Sequence, residues 1–196
     1  AAGYAPVFKE RPLEDPALGA ARRAVDLVLA GHEPFPALAI DRHWTLVAAN
    51  RAVPLMLAGI DPAVLAPPVN VLRLSMHPRG LAPRIVNLAE WRTHLLARLR
   101  RQIEATADAV LAELFEELSR YPVPDDGGHD AGAATDYAGV AIPLQLATEG
   151  GVLSFLSITT VFGTPVDITL SELALESFFP ADAATSDALN RIMKRD

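Results

Sequence analysis

Five histidines, at positions 32, 43, 77, 94 and 129, are the side chains of this chain best suited to acid–base work or metal ligation near neutral pH. No two of them stand at the His-Glu-x-x-His spacing that puts two imidazoles on one helix face, so no metal centre is expected. His94 lies one turn from Glu90 on a predicted helix, a spacing that reads as a surface ion pair worth tenths of a kcal/mol. Asp125, Asp126 and Asp130 raise the question of calcium. They lack the ligand spacing and closing glutamate of a calcium loop and read as a solvated loop. No serine sits in a G-x-S-x-G elbow, and neither glycine-rich phosphate motif occurs. The chain has no cysteine, which excludes disulfides, thiol nucleophiles and thiolate metal sites. A hydrolase using one of the histidines is the enzymatic alternative, but no serine or aspartate pairs with a histidine in a recognised pattern. The reading is therefore not an enzyme, with no cofactor.

Chemistry of another kind is available between Val152 and Thr185. A long apolar run, a turn at Gly163-Thr164-Pro165 and a second strand-like run through Phe178-Phe179-Pro180 suit a buried, pleated sheet. Without a catalytic motif beside it, such a sheet points to a sensing or binding module. Ser157 and Thr159 share a face with Phe155: they are either hydroxyls satisfied by the backbone or the few polar groups that orient a ligand in an apolar pocket. Trp91, on the apolar stripe of a predicted long helix, is either core or the flat wall of a cavity between helix and sheet. Asn87, one turn earlier, is placed to donate or accept at the cavity mouth. Trp44, in a turn, is expected to respond to a ligand less than Trp91. Arg92, Arg98, Arg100 and Arg101 make a basic patch that reads as a solvated helix face or as a contact for DNA or an adjoining domain.

Length and composition bound these readings. A chain of 196 residues with 51% apolar side chains is one domain with material for a real core. A net charge of -7 argues against nucleic acid as the partner of this segment by itself. No apolar run reaches the ~18 residues of a membrane-spanning helix, and no secretion signal opens the chain. With the missing cysteines, this leads to the expectation of a cytoplasmic protein without a membrane partner.

The elements that must position these groups follow from periodicity and punctuation. Residues 1–15 read as an arm or linker, and residues 16–196 as the domain. A helix over 16–31 puts Leu18, Ala21, Val25, Val28 and Leu29 near one face and stops at Gly31. Short strands are expected at 36–41 and 45–50, with Asn50 capping a short helix over 51–58. Prolines break 60–85, leaving Asn70–Leu74 as one ordered piece. A helical pattern runs from Asn87 to Tyr121 with a break near 105–108. Pro122–Ala134 is a loop. Strands are expected at 138–148, 151–162 and 166–179, with Gly150-Gly151 as a turn, then a helix from Ala183 capped by Asp182. The order gives an α+β fold with a five-stranded antiparallel sheet. In strand 152–162, Leu153, Phe155 and Val161 on one face and Leu156, Ile158 and Phe162 on the other imply that both faces are covered.

Pro36–Gly59, with strand, turn, strand and then Asn before a short helix, resembles the opening of a PAS domain. Further stretches resemble the ligand-binding domain of MmyB-like transcription regulators over roughly residues 36–190. They are Asn70–Leu74, Pro78–Leu81, Asn87–Trp91 with the Leu/Arg helix after it, Tyr121-Pro122, Val140–Leu144, Phe162–Pro165 and Phe178–Asp182. The resemblance implies a PAS-like sensor with extra terminal helices and a small apolar ligand, with a fatty acid the leading class. It also implies DNA contact through an N-terminal helix-turn-helix domain, which is absent from these 196 residues, so a truncated protein or a free-standing sensor is expected. The pocket is placed between the sheet and the helices from Asn70 to Phe115. Its candidate lining is Leu74, Asn87, Trp91, Leu95 and Phe115 from the helices, with Phe155, Ser157 and Thr159 from the sheet. A long acyl chain there gains ~0.8 kcal/mol per buried CH₂. A homodimer is expected; a ligand-free PAS-like dimerisation module is the alternative.

Overall fold

The computed structural model describes residues 19–122, 141–163 and 172–194. The arm over 1–15, Leu18, the loop from Val123 to Ala134 and the turn at Thr164-Pro165 lie outside those residues. Among the described residues, six α-helices surround one sheet. In chain order they are α1 (Gly19–Gly31), β1 (Ala37–Ile40), β2 (Leu46–Ala49), α2 (Ala52–Met56), α3 (Val71–Met76), α4 (Leu88–Thr106), α5 (Ala109–Ser119), β3 (Leu144–Thr148), β4 (Gly151–Val161), β5 (Ala174–Pro180) and α6 (Ala183–Met193). The strands lie in the order β2-β1-β5-β4-β3, with every pair antiparallel. This is the PAS-like α+β arrangement that the order of elements implies.

Period-two alternation divides the sheet. Leu38 and Ile40 of β1, Phe155 of β4 and Leu144 and Leu146 of β3 join Leu72, Met76, Leu88, Trp91, Leu95, Leu99, Leu111, Leu114 and Leu118 in the main core. Ala37 and Ala39 face the other way and meet Ala21, Val25 and Leu29 of α1 together with Leu173 and Leu175. The small alanines let α1 lie close to the sheet.

The long helical pattern breaks where its residues permit. Ala107 takes a left-handed φ of 53°, and the Asp108 carboxylate accepts from the N–H groups of Val110 and Leu111 to start α5. Asp182 likewise caps α6 by accepting from the Thr185 N–H. Gly80 has a simpler role. A Cβ there would fall 2.3 Å from the Leu74 carbonyl oxygen, so only glycine lets the chain fold back on α3.

Several expectations need correction. Asn50 does not cap α2 with its side chain: the flanking residue is Arg51, with no side-chain cap. Asn50 is buried instead, donating to the Leu29 and Phe35 carbonyls and accepting from the Ala37 N–H. Val28 is 45% exposed and lies off the buried stripe of α1. Of the strands expected at 138–148 and 166–179, residues 138–140 and 166–171 lie outside the described residues, while 141–143 and 172–173 are not strand, so the described strands start at Leu144 and Ala174. The two faces of β4 are both covered only around Leu153, Ser154 and Phe155, which are buried, whereas Val152, Ile158 and Val161 are exposed.

Candidate functional site: an apolar cavity with a charged end

A cavity of about 120 Å³ opens between the sheet and helices α2, α3 and α4. Leu38, Leu74, Leu95, Leu146, Phe155 and Phe178 supply apolar walls. Met56 and Leu57 close the α2 side, and an unbranched methionine is an adaptable wall. The volume is near that of a cavity that holds benzene and below the ~300 Å³ at which pockets for larger ligands begin.

Two indoles line it. Trp91, buried on α4, donates from Nε1 to Ser75 Oγ at 3.0 Å, which fixes the ring against α3. The His94 ring stacks on Trp91 at 5.7 Å between centroids and also lines the cavity. Burial, helped by the Arg98 and Arg101 charges, holds His94 below the usual imidazole range, so it is neutral at pH 7. The expected Glu90–His94 surface ion pair is replaced by this inward, stacked position. Trp44 is the second correction. The Asp41 carboxylate accepts from the His43 and Thr45 N–H groups, and Trp44 takes a left-handed φ of 65°. That turn carries the indole inward, where it is buried, lines the cavity and donates to Gln102 Oε1 at 2.9 Å.

The charged end is built from α4, β4 and β5. Glu176 stands opposite Thr159 in the β4–β5 register, two residues along from Phe178 on the same face. Its side chain is only 5% exposed. Arg98 Nη2 donates to Glu176 Oε1 at 2.5 Å and to Thr159 Oγ1 at 2.7 Å. Thr159 Oγ1 donates to the same carboxylate oxygen at 2.7 Å, and Ser157 Oγ donates to Oε2 at 2.8 Å. Burial alone would push the carboxyl up. The hydrogen bond and charge of Arg98, with the two hydroxyls, outweigh it and hold Glu176 below its ordinary value. The Arg98 guanidinium lies 4.4 Å from the Trp44 ring centroid, a cation–π contact. Trp44 and Arg98 also border a neighbouring groove of about 480 Å³, so they form the partition between it and the cavity.

Of the residues expected at the site, Leu74, Trp91, Leu95, Phe155 and Ser157 line this cavity. Asn87, Phe115 and Thr159 do not. Asn87 bonds the start of α4 to β3: it donates to the Pro143 carbonyl and accepts from the Gln145 N–H. Phe115 packs at the edge of the core with the Arg100 guanidinium over its ring. Thr159 is taken up by Arg98 and Glu176. The basic patch is likewise dispersed, because Arg92 donates to the Leu118 and Ser119 carbonyls while Arg98 turns to the cavity.

The residues that sequence reasoning missed are Trp44, His94, Arg98 and Glu176. A signal for Glu176 existed: Ala174, Glu176 and Phe178 fall on one face of an apolar strand, and a carboxylate there needs a partner.

The histidines do other work. His43 Nε2 lies 2.9 Å from Asp108 Oδ2, tying the β1–β2 turn to the α5 cap. His77 Nδ1 accepts from the Arg79 N–H, and His32 contacts the Phe178 carbonyl. Among the described residues no histidine hydrogen-bonds a serine, no three His, Asp or Glu side chains converge, and no helix is long and apolar enough to cross a membrane.

Compared with known families, residues 21–192 match the model described as the MmyB-like transcription regulator ligand binding domain. No curated protein matches the chain.

Proposed function

The chain belongs to the family of MmyB-like transcription regulator ligand binding domains, and we propose that it senses a small apolar ligand held in the cavity between sheet and helices. The observation that carries this reading is the cavity itself. Apolar walls from β1, β3, β4, β5, α3 and α4 converge on one interior space, with a few polar groups gathered at one end. The ligand is of fatty-acyl type, a fatty acid or an uncharged relative carrying the same hydrocarbon chain. At 120 Å³ the space takes part of such a chain, and the rest needs Met56, Leu57 or the Trp44–Arg98 partition to move. The family is one of regulator domains rather than enzymes, so no catalytic step is proposed.

Lipid extraction and native mass spectrometry of the purified protein test this directly. Adding a C12–C18 chain should raise the melting temperature, by the equivalent of about 2.7 kcal/mol at a hundredfold excess over Kd. It should also shift the emission of both indoles, which the Trp44→Phe and Trp91→Phe variants separate. No bound lipid and no response to any such chain would refute the sensor reading.

The domain acts as a homodimer in this proposal. Val152 and Ile158 of β4 and Phe179 of β5 share the outer face of the sheet, and each is at least 40% exposed. The same strip favours the alternative of a dimerisation module if no ligand binds. A monomer by light scattering at high concentration would remove the dimer. DNA contact is assigned to a separate domain of a cytoplasmic regulator. With a net charge of -7, residues 1–196 should give no sequence-specific shift in a binding assay at ~0.15 M salt.

A further inference from the structure

Resting on the apolar-ligand reading, we propose that the charged end of the cavity selects a ligand with an uncharged hydrogen-bonding terminus, such as a hydroxyl, over one with a free carboxylate. The two formal charges in the cavity lining, Arg98 and Glu176, already neutralise each other at 2.5 Å. A carboxylate brought to that end has two options. It can sit beside the Glu176 carboxylate as a like charge out of water. Otherwise it can take Arg98 for itself and leave Glu176, 5% exposed, with only the Ser157 and Thr159 hydroxyls. Both options cost free energy that a neutral head does not incur.

A hydroxyl fits the groups that are present. Glu176 Oε2 accepts from Ser157 alone, so it has room for a second donor. Arg98 uses only Nη2 for its bonds to Glu176 and Thr159, and its other nitrogens can donate to the hydroxyl oxygen. A primary alcohol therefore donates to Glu176 and accepts from Arg98 without breaking any bond already made. Ser157 and Glu176 both line the cavity, so this end is reached by the same ligand whose chain fills the apolar part.

The test compares two ligands of one chain length, 1-dodecanol and dodecanoate, at about pH 8, where the acid is fully ionised. Affinities come from tryptophan emission and melting temperature with the 196-residue protein. Dodecanol should bind at least about tenfold more tightly than dodecanoate. In Glu176→Gln the guanidinium loses its counter-charge, and the ratio should move by about tenfold or more toward dodecanoate. The wild-type ratio stands as a test even if the variant fails to fold. Dodecanoate binding as tightly as dodecanol, or a ratio that Glu176→Gln leaves unchanged, overturns this inference while the apolar-ligand reading survives. Binding of neither ligand removes both.

Discussion

Replacing Arg98 by Met tests how the charged end is held together. The change keeps an unbranched apolar stem against Trp44 and removes the guanidinium. It leaves Glu176 buried and ionised. Breaking a buried pair by deleting one partner costs about 3–5 kcal/mol. Two corrections lower that figure here. Arg98 is 26% exposed, so part of its attraction is screened, and the Ser157 and Thr159 hydroxyls still donate to the carboxylate. About 2–3 kcal/mol at pH 7–8 is expected, a fall in Tm of roughly 4–12 °C for a domain of this size. Glu176→Gln should cost less, about 1 kcal/mol, because the arginine it strands can reach water along its stem. The double variant should be more stable than Arg98→Met alone.

The pH dependence carries a sign. In the native protein Glu176 sits below its ordinary value of 4.5, so its contribution is present above that pH and is lost as pH falls through the folded value. In Arg98→Met, burial acts without the guanidinium and pushes the carboxyl up. The variant is then penalised most at high pH, and its deficit should narrow as pH is lowered from about 8 toward 5. Thermal melts across that range decide the matter. A deficit that does not change with pH, or a Glu176→Gln variant less stable than Arg98→Met, would refute this account of the pair.

Three further outcomes are expected. Gly80→Ala should destabilise by about 1–3 kcal/mol or prevent folding, because its Cβ meets a backbone carbonyl that cannot rotate away; a denaturant melt measures it. Asn50→Ala should cost about 2–4 kcal/mol in the same assay, since it strands the Leu29 and Phe35 carbonyls and the Ala37 N–H together. His94 should titrate below 6.5 by NMR. As the unfolded chain takes up that proton first, stability should fall as pH drops below about 6.5, and His94→Gln should lessen the fall.

How much of this was legible in the chain depends on the range over which each residue acts. The break between α4 and α5 could be read because Asp108 caps a helix with groups two and three residues away. The buried stripe of Leu88, Trp91, Leu95 and Leu99 could be read because one helix face is a matter of spacing alone. The turn at Gly150-Gly151 and the apolar first half of β4 are local in the same sense. Asn50 shows where that reasoning ends. An asparagine ahead of a short helix has the look of a cap, yet its partners are 13, 15 and 21 residues back in the chain. Only the packing of α1 against β1 brings them within reach. Trp44 is a similar case: a tryptophan in the five-residue connection between β1 and β2 looks exposed until the Asp41 turn aims it inward.

The charged end was the least legible part, and the reason is physical. Arg98 and Glu176 are 78 residues apart. Within α4 the arginine stands among Arg100 and Arg101, both of which read as solvated face. Its position differs from theirs because it falls one turn after His94 and two turns after Trp91 on the side that meets the sheet. Helical phase alone does not separate a cation that covers an apolar face from one that reaches a buried carboxylate. What separates them is the strand opposite. Once the β4–β5 register sets Glu176 across from Thr159, a buried carboxylate is fixed on that face, and an ionised group there demands a cation from the covering helix. Arg98 is the residue of α4 that answers it. The site thus follows from one anomalous residue in an apolar strand, and the strand rather than the basic helix is where a search for it begins.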